Sequence, residues 1–166
     1  MRQTRAPGTY VLVVWVEQDI SLRIGSLGIL PFKAGHYLYV GSALNGLDAR
    51  LARHQRCEKR THWHIDYLLP HGEIREIWYR LGRERCECLW AQALAAMPGV
   101  EPFQAPFGAS DCSCPTHLFR SQTLPPIHSF QAQPPCSDAR LWSIPTNIHM
   151  KSQVLRAIYL NPLQTG

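Results

Sequence analysis

Tyr10 to Val16 reads Tyr-Val-Leu-Val-Val-Trp-Val, seven apolar residues of which six are β-branched or aromatic, halted by Glu17. Such a run favours a strand, and it is far short of the ~20 residues a bilayer-crossing helix needs. Met1-Arg-Gln-Thr-Arg leads into it with no small-residue cleavage site behind it. A strand is therefore expected rather than a signal core, in a cytoplasmic protein with no membrane partner.

Around that run the periodicities describe an α+β chain. Thr9 to Glu17 is the first strand, Gln18-Asp19 a short turn, and Ile20 to Leu27 a second strand alternating Ile20, Leu22, Ile24 with Ser21, Arg23, Gly25. Gly35-His-Tyr-Leu-Tyr-Val-Gly41 is the third, and the three are expected to form an antiparallel meander. Leu47 to Arg56 is an amphipathic basic helix, with Leu47 and Leu51 on one side and Arg50, Arg53 and His54 flanking them. His62-Trp-His-Ile-Asp-Tyr-Leu-Leu69 fits either period. Ile74 to Leu81 reads as a strand and Cys86 to Met97 as a helix stopped by Pro98-Gly99. The expected order is β-β-β-α-α-β-α, a small sheet of three to four strands flanked by helices.

The chain changes character near residue 120: ten of its thirteen prolines lie at or after Pro98, and only five charged residues follow Phe119. Residues 8–119 are thus expected to form the domain. Residues 120–166 would be a Pro-rich, mostly irregular, mobile tail with a short helix near 148–160 that could dock on the domain or on a partner protein.

Gly8-Thr9-Tyr10 and Tyr39-Val40-Gly41 each place a tyrosine beside a strand-bounding glycine, and alone each reads as turn and packing. Their order and company are more specific. The chain also carries Gly25-Ser-Leu-Gly28, Gly35 through Ser42-Ala43, Leu51-Ala-Arg-His54, His62 through Leu69, Glu87-Cys88 and Ser110-Asp-Cys-Ser-Cys-Pro-Thr-His-Leu-Phe119. Over residues 8 to 119 this resembles the GIY-YIG nuclease superfamily, more closely a subgroup carrying a domain of unknown function and found alone or fused to DNA repair glycosylase-type proteins.

The resemblance implies a metal-dependent DNA endonuclease of repair or recombination, with Tyr10, Tyr39, Arg50 and Glu87 catalytic and Glu87 holding one Mg²⁺ or Mn²⁺. The chemistry suits these residue types. A tyrosine with its usual pKa of ~10 needs a nearby cation to act as a base, Arg50 supplies one whose fork also matches phosphate, and Mg²⁺ commonly takes one or two protein oxygens. Glu87 shares a helix face with Ala91 and Leu94, which should hold its carboxylate near the packed side; Glu84 is the fallback ligand. The superfamily's usual asparagine is replaced by Phe107-Gly-Ala-Ser-Asp111, where Ser110 or Asp111 could serve. The alternative function is a nucleic-acid-binding module on the same fold without turnover.

His62, His64 and Asp66 sit close enough in either period for an imidazole and a carboxylate to meet, making His64 a candidate proton relay or phosphate contact, or else part of a structural pair. Residues 50–60 hold five Lys or Arg against one Glu, a local +4 within an overall +5, so Ser42, Arg53, His54, Lys59, Arg60 and His62 are the expected contacts to the DNA backbone.

The six cysteines are expected to be reduced. A zinc site from Cys86, Cys88, Cys112, Cys114 and His117 is conceivable, but C-x-C spacing argues against a zinc knuckle, leaving a packed thiol cluster. Cys57 and Cys136 show no partner pattern.

Overall fold

A computed structural model describes residues 5–134, 136–137 and 142–145. The first strand is β1 (Gly8–Val16), and its antiparallel neighbours are β4 (Gly35–Ala43) and β5 (Glu73–Leu81). Beyond β4 lie β7 (Leu118–Ser121) and β6 (Glu101–Pro102), and beyond β5 lies β8 (Trp142–Pro145). The six-stranded order is β6-β7-β4-β1-β5-β8, with every pairing antiparallel.

The expected meander is corrected. Ile20 to Leu27 is not one strand: β2 (Ile20–Arg23) and β3 (Ile29–Phe32) pair with each other alone, joined through a 3₁₀ turn at Gly25–Leu27. Val16 pairs directly with Gly35, so the whole hairpin is an excursion from the β1–β4 junction. It lies outside the main sheet because its apolar positions, Leu22, Ile24 and Leu30, pack onto the sheet's face instead of extending its edge. The 29 positions from Tyr10 to Tyr39 are absorbed this way.

Both faces of the sheet are covered, which explains a first strand without polar alternation. Tyr10, Leu12, Val14 and Val16 point to one face, against α1 (Leu47–His54), α2 (Ile65–Leu68) and Phe107. Val11 and Val13 point to the other, with Leu38, Val40 and Trp78, against α3 (Glu87–Ala95). In α1, Leu47, Leu51 and His54 are buried at four- and three-residue spacing, and Asp48 complements the positive helix start. The ambiguous His62–Leu69 stretch becomes α2, continued by a 3₁₀ turn at Leu69–His71.

The packed core runs past the expected boundary at residue 119. β7 pairs Leu118 to Ser121 with His36 to Tyr39, and Phe130 is buried against Trp78 and Trp90, ring centroids 5.8 and 5.0 Å away. Cys136 is buried in a disulfide with Cys86, a correction to the all-reduced expectation. The fold brings their Cα atoms to 5.9 Å, within bridging range, and a separation of 50 residues leaves no spacing signal in the chain. The helix expected near 148–160 lies outside the described residues. Among the described residues no helix is long and apolar enough to cross a membrane.

Candidate active site

The β1–β4 register pairs Tyr10 with Gly41 and Leu12 with Tyr39, which sets the two tyrosines diagonally on one face with ring centroids 6.5 Å apart. Gly41 is required by this arrangement. A Cβ there would stand 2.5 Å from the Tyr10 hydroxyl oxygen.

Tyr10 Oη lies 2.6 Å from His54 Nε2, both groups buried. Burial holds His54 down to about 3, so the imidazole is neutral at physiological pH. Burial raises both phenols while the Arg50 cation opposes it; Tyr10 and Tyr39 therefore stay protonated. His54, expected on the nucleic-acid surface, instead sits behind the tyrosines: its position on α1 continues the Leu47–Leu51 stripe.

Arg50 Nη1 donates to the Ser42 carbonyl at 2.9 Å, and its guanidinium stands 4.0 Å from the centre of the Trp63 ring. Arg53 also reaches Trp63, at 4.3 Å, and makes a bidentate ion pair with Asp66. Asp66 further accepts the backbone N–H groups of His62 and Trp63. Burial works against this carboxylate's charge, but the Arg53 and backbone hydrogen bonds outweigh it and hold its pKa below the ordinary value. The expected imidazole–carboxylate contact does not form, because Asp66 is occupied by Arg53 and the backbone. His64 Nδ1 instead accepts the Gly108 N–H at 2.9 Å. Gly108 has φ +72°, and a Cβ on it would press on the Tyr39 ring at 2.9 Å.

The basic run is partly turned inward. Lys59 Nζ donates to the carbonyls of Arg53, His54 and Arg56 at 3.3, 2.9 and 3.1 Å, closing the end of α1. Arg53 is held by Asp66, while Arg60 remains exposed, its carbonyl taking a bond from Arg53.

Glu87, in the first turn of α3, accepts the Ser42 hydroxyl. Its other oxygen lies 3.5 Å from His117 Nδ1, and its side chain is 29% exposed while that of His117 is 1% exposed. A cleft of about 370 Å³ brings Tyr39, Ser42, Arg50, His62, His64 and Glu87 together with Trp63, Arg85, Ser110 and Asp111. Both substitutes for the asparagine thus face it. Glu84 is outside that lining, paired with Arg80 at 3.0 Å.

Sequence reasoning missed Trp63 and Arg85, and it named His117 for a zinc site without placing it beside Glu87. Trp63 and His117 stand inside motif pieces already singled out, and Arg85 lies two positions before Glu87. A family model, the Domain of unknown function DUF123, matches residues 9–133. The chain belongs to this family. The DUF123 match includes β7 and Phe130, in keeping with the core continuing past residue 119. Neither the curated proteins nor the solved structures yield a match.

Against α3 the DUF123 domain holds a second group. Cys88, Cys112, Cys114 and His117 place one ligand atom each within 4.8 Å of one another. Cys86 is excluded from it by its disulfide.

Proposed function

We propose that this domain is a metal-dependent endonuclease of GIY-YIG type, hydrolysing DNA phosphodiester bonds in repair or recombination. The observation that carries the reading is the convergence of Tyr39, Arg50 and Glu87 on one open cleft, with the Tyr10–His54 pair directly behind. A single hard divalent ion fits there: Glu87 offers a partly exposed carboxylate, and Ser110 and Asp111 add oxygen donors on the same cleft. When bound, Mg²⁺ or Mn²⁺ would neutralise charge on the phosphate and acidify water.

The chain's own groups have separable tasks. Arg50, braced on the Ser42 carbonyl and the Trp63 ring, presents its remaining N–H groups to a non-bridging oxygen, where fixed donors gain strength as charge builds. Tyr39 carries its proton at neutral pH and can orient the attacking water or hydrogen-bond the phosphate. Tyr10 and His54 share one hydrogen bond and back the Tyr39 ring, holding it in place at the cleft. Ser42 fixes the rotamer of Glu87.

The test is cleavage of supercoiled, nicked and branched DNA with Mg²⁺ or Mn²⁺. Activity should vanish on chelation and fall at least 10²-fold, roughly the loss on removing one preorganised charge-stabilising group, in Glu87→Gln. Full activity in that variant would overturn the reading. The protonation of both phenols favours one alternative, a DNA-binding module without turnover. Its signature is salt-sensitive binding of the same panel with no cleavage by the wild type.

A further inference from the structure

We propose that Cys88, Cys112, Cys114 and His117 bind one zinc-type ion that fastens the loop preceding β7 to the start of α3. The four ligand atoms come from two places 24 residues apart in the chain, yet all lie within 4.8 Å of one another. A tetrahedral ion with metal–sulfur bonds of about 2.3 Å sets its sulfurs about 3.8 Å apart, so this spacing needs only small adjustments. A multi-iron cluster would hold its thiolates farther apart than these atoms stand. Three thiols and an imidazole form a donor set selective for a soft or borderline ion such as zinc rather than for Mg²⁺.

The second observation is the orientation of His117. The side chain is buried, its Nε2 is 3.4 Å from Cys112 Sγ, and its Nδ1 faces Glu87 Oε2 at 3.5 Å. That is the arrangement of a metal-ligating histidine, one nitrogen toward the ion and the other N–H toward a carboxylate that sets the tautomer. The Gly108 backbone also faces this imidazole, and a carbonyl is another group that fixes the tautomer of a ligating histidine.

The spacing that argued against zinc considered the C-x-C pairs alone. Cys114-Pro-Thr-His117 supplies a two-residue spacer, and Cys88 joins from the helix. With four protein ligands the coordination sphere is closed, the mark of a structural ion rather than one that activates water. Its effect would be to hold Ser110 and Asp111 against the cleft. The proposal stands independently of the phosphodiester reading, since metal content is measured without any cleavage.

The test uses the full chain, prepared with thiol reductant and Zn²⁺, desalted, and assayed by elemental analysis. About one equivalent of zinc per chain is expected, falling to less than about a tenth in the Cys112→Ser/Cys114→Ser double variant and unchanged in Cys57→Ser, whose cysteine is exposed and outside the group. Because the double variant could fail to fold, Co²⁺ added to metal-free wild type gives a second readout: thiolate charge-transfer and tetrahedral d–d bands that Zn²⁺ abolishes. Wild type that retains less than about a tenth of an equivalent and shows no such bands overturns the proposal. Retention of a full equivalent by a folded double variant overturns it too.

Discussion

The two faces of the main sheet are built from alternate residues of the same strands, yet they do different things. One face buries Tyr10, Tyr39 and His54, groups that must find partners or lose their charge. The other buries Val11, Val13, Leu38, Val40, Trp78 and Trp90 and is tied by the Cys86–Cys136 bridge. The first face carries the candidate chemistry except for Glu87, which joins from α3, and its buried polar groups bear a desolvation cost. Apolar side chains on both faces, worth ~1.5–3 kcal/mol each on burial, offset it.

This contrast predicts that acid should loosen one face and reductant the other. His54 is held down to about 3 by burial, against an ordinary value of 6.5. The unfolded chain therefore binds a proton that the folded chain refuses. The stability His54 contributes is fully present above pH ~6.5 and is lost as pH falls toward ~3, on the order of 5 kcal/mol across the window. Asp66, also depressed, adds a loss in the same direction at lower pH. Urea unfolding of wild type and His54→Gln from pH 7 to 4 should show a much shallower decline in the variant. Equal slopes would break the comparison.

Removing the bridge with Cys136→Ser should cost about 4 kcal/mol, the chain-entropy value for a loop of 50 residues. The loss should be independent of pH over the range where His54 titrates, and dithiothreitol should have little further effect at this bridge in the variant. Smaller again, Tyr10→Phe leaves His54 Nε2 buried without its partner and should cost about 1–3 kcal/mol. If the hydroxyl also serves the cleft, cleavage should fall by more than the folded fraction does.

Much of the candidate site was legible because its residues belong to continuous motif pieces. Tyr10, Tyr39, Arg50 and Glu87 could be named from the chain; Tyr39, Arg50 and Glu87 line one cleft, and Tyr10 lies buried beside Tyr39. His54 was misplaced because helical spacing puts it near both stripes of α1, and only packing against Tyr10 shows which one it joins. Asp66 was assigned to an imidazole because its true partner, Arg53, lies on another helix and wins by a bidentate ion pair.

The sequence by itself determined β1, β4 and β5, the helices α1 and α3 and the residue types around the cleft, because these depend on period and local propensity over a few residues. Tertiary structure alone decided that β2 and β3 stand apart from the main sheet, that Cys86 meets Cys136, and that three cysteines and His117 gather beside Glu87. Each of these joins positions far apart in the chain, where contact depends on register and packing of the whole core and no local spacing carries the signal.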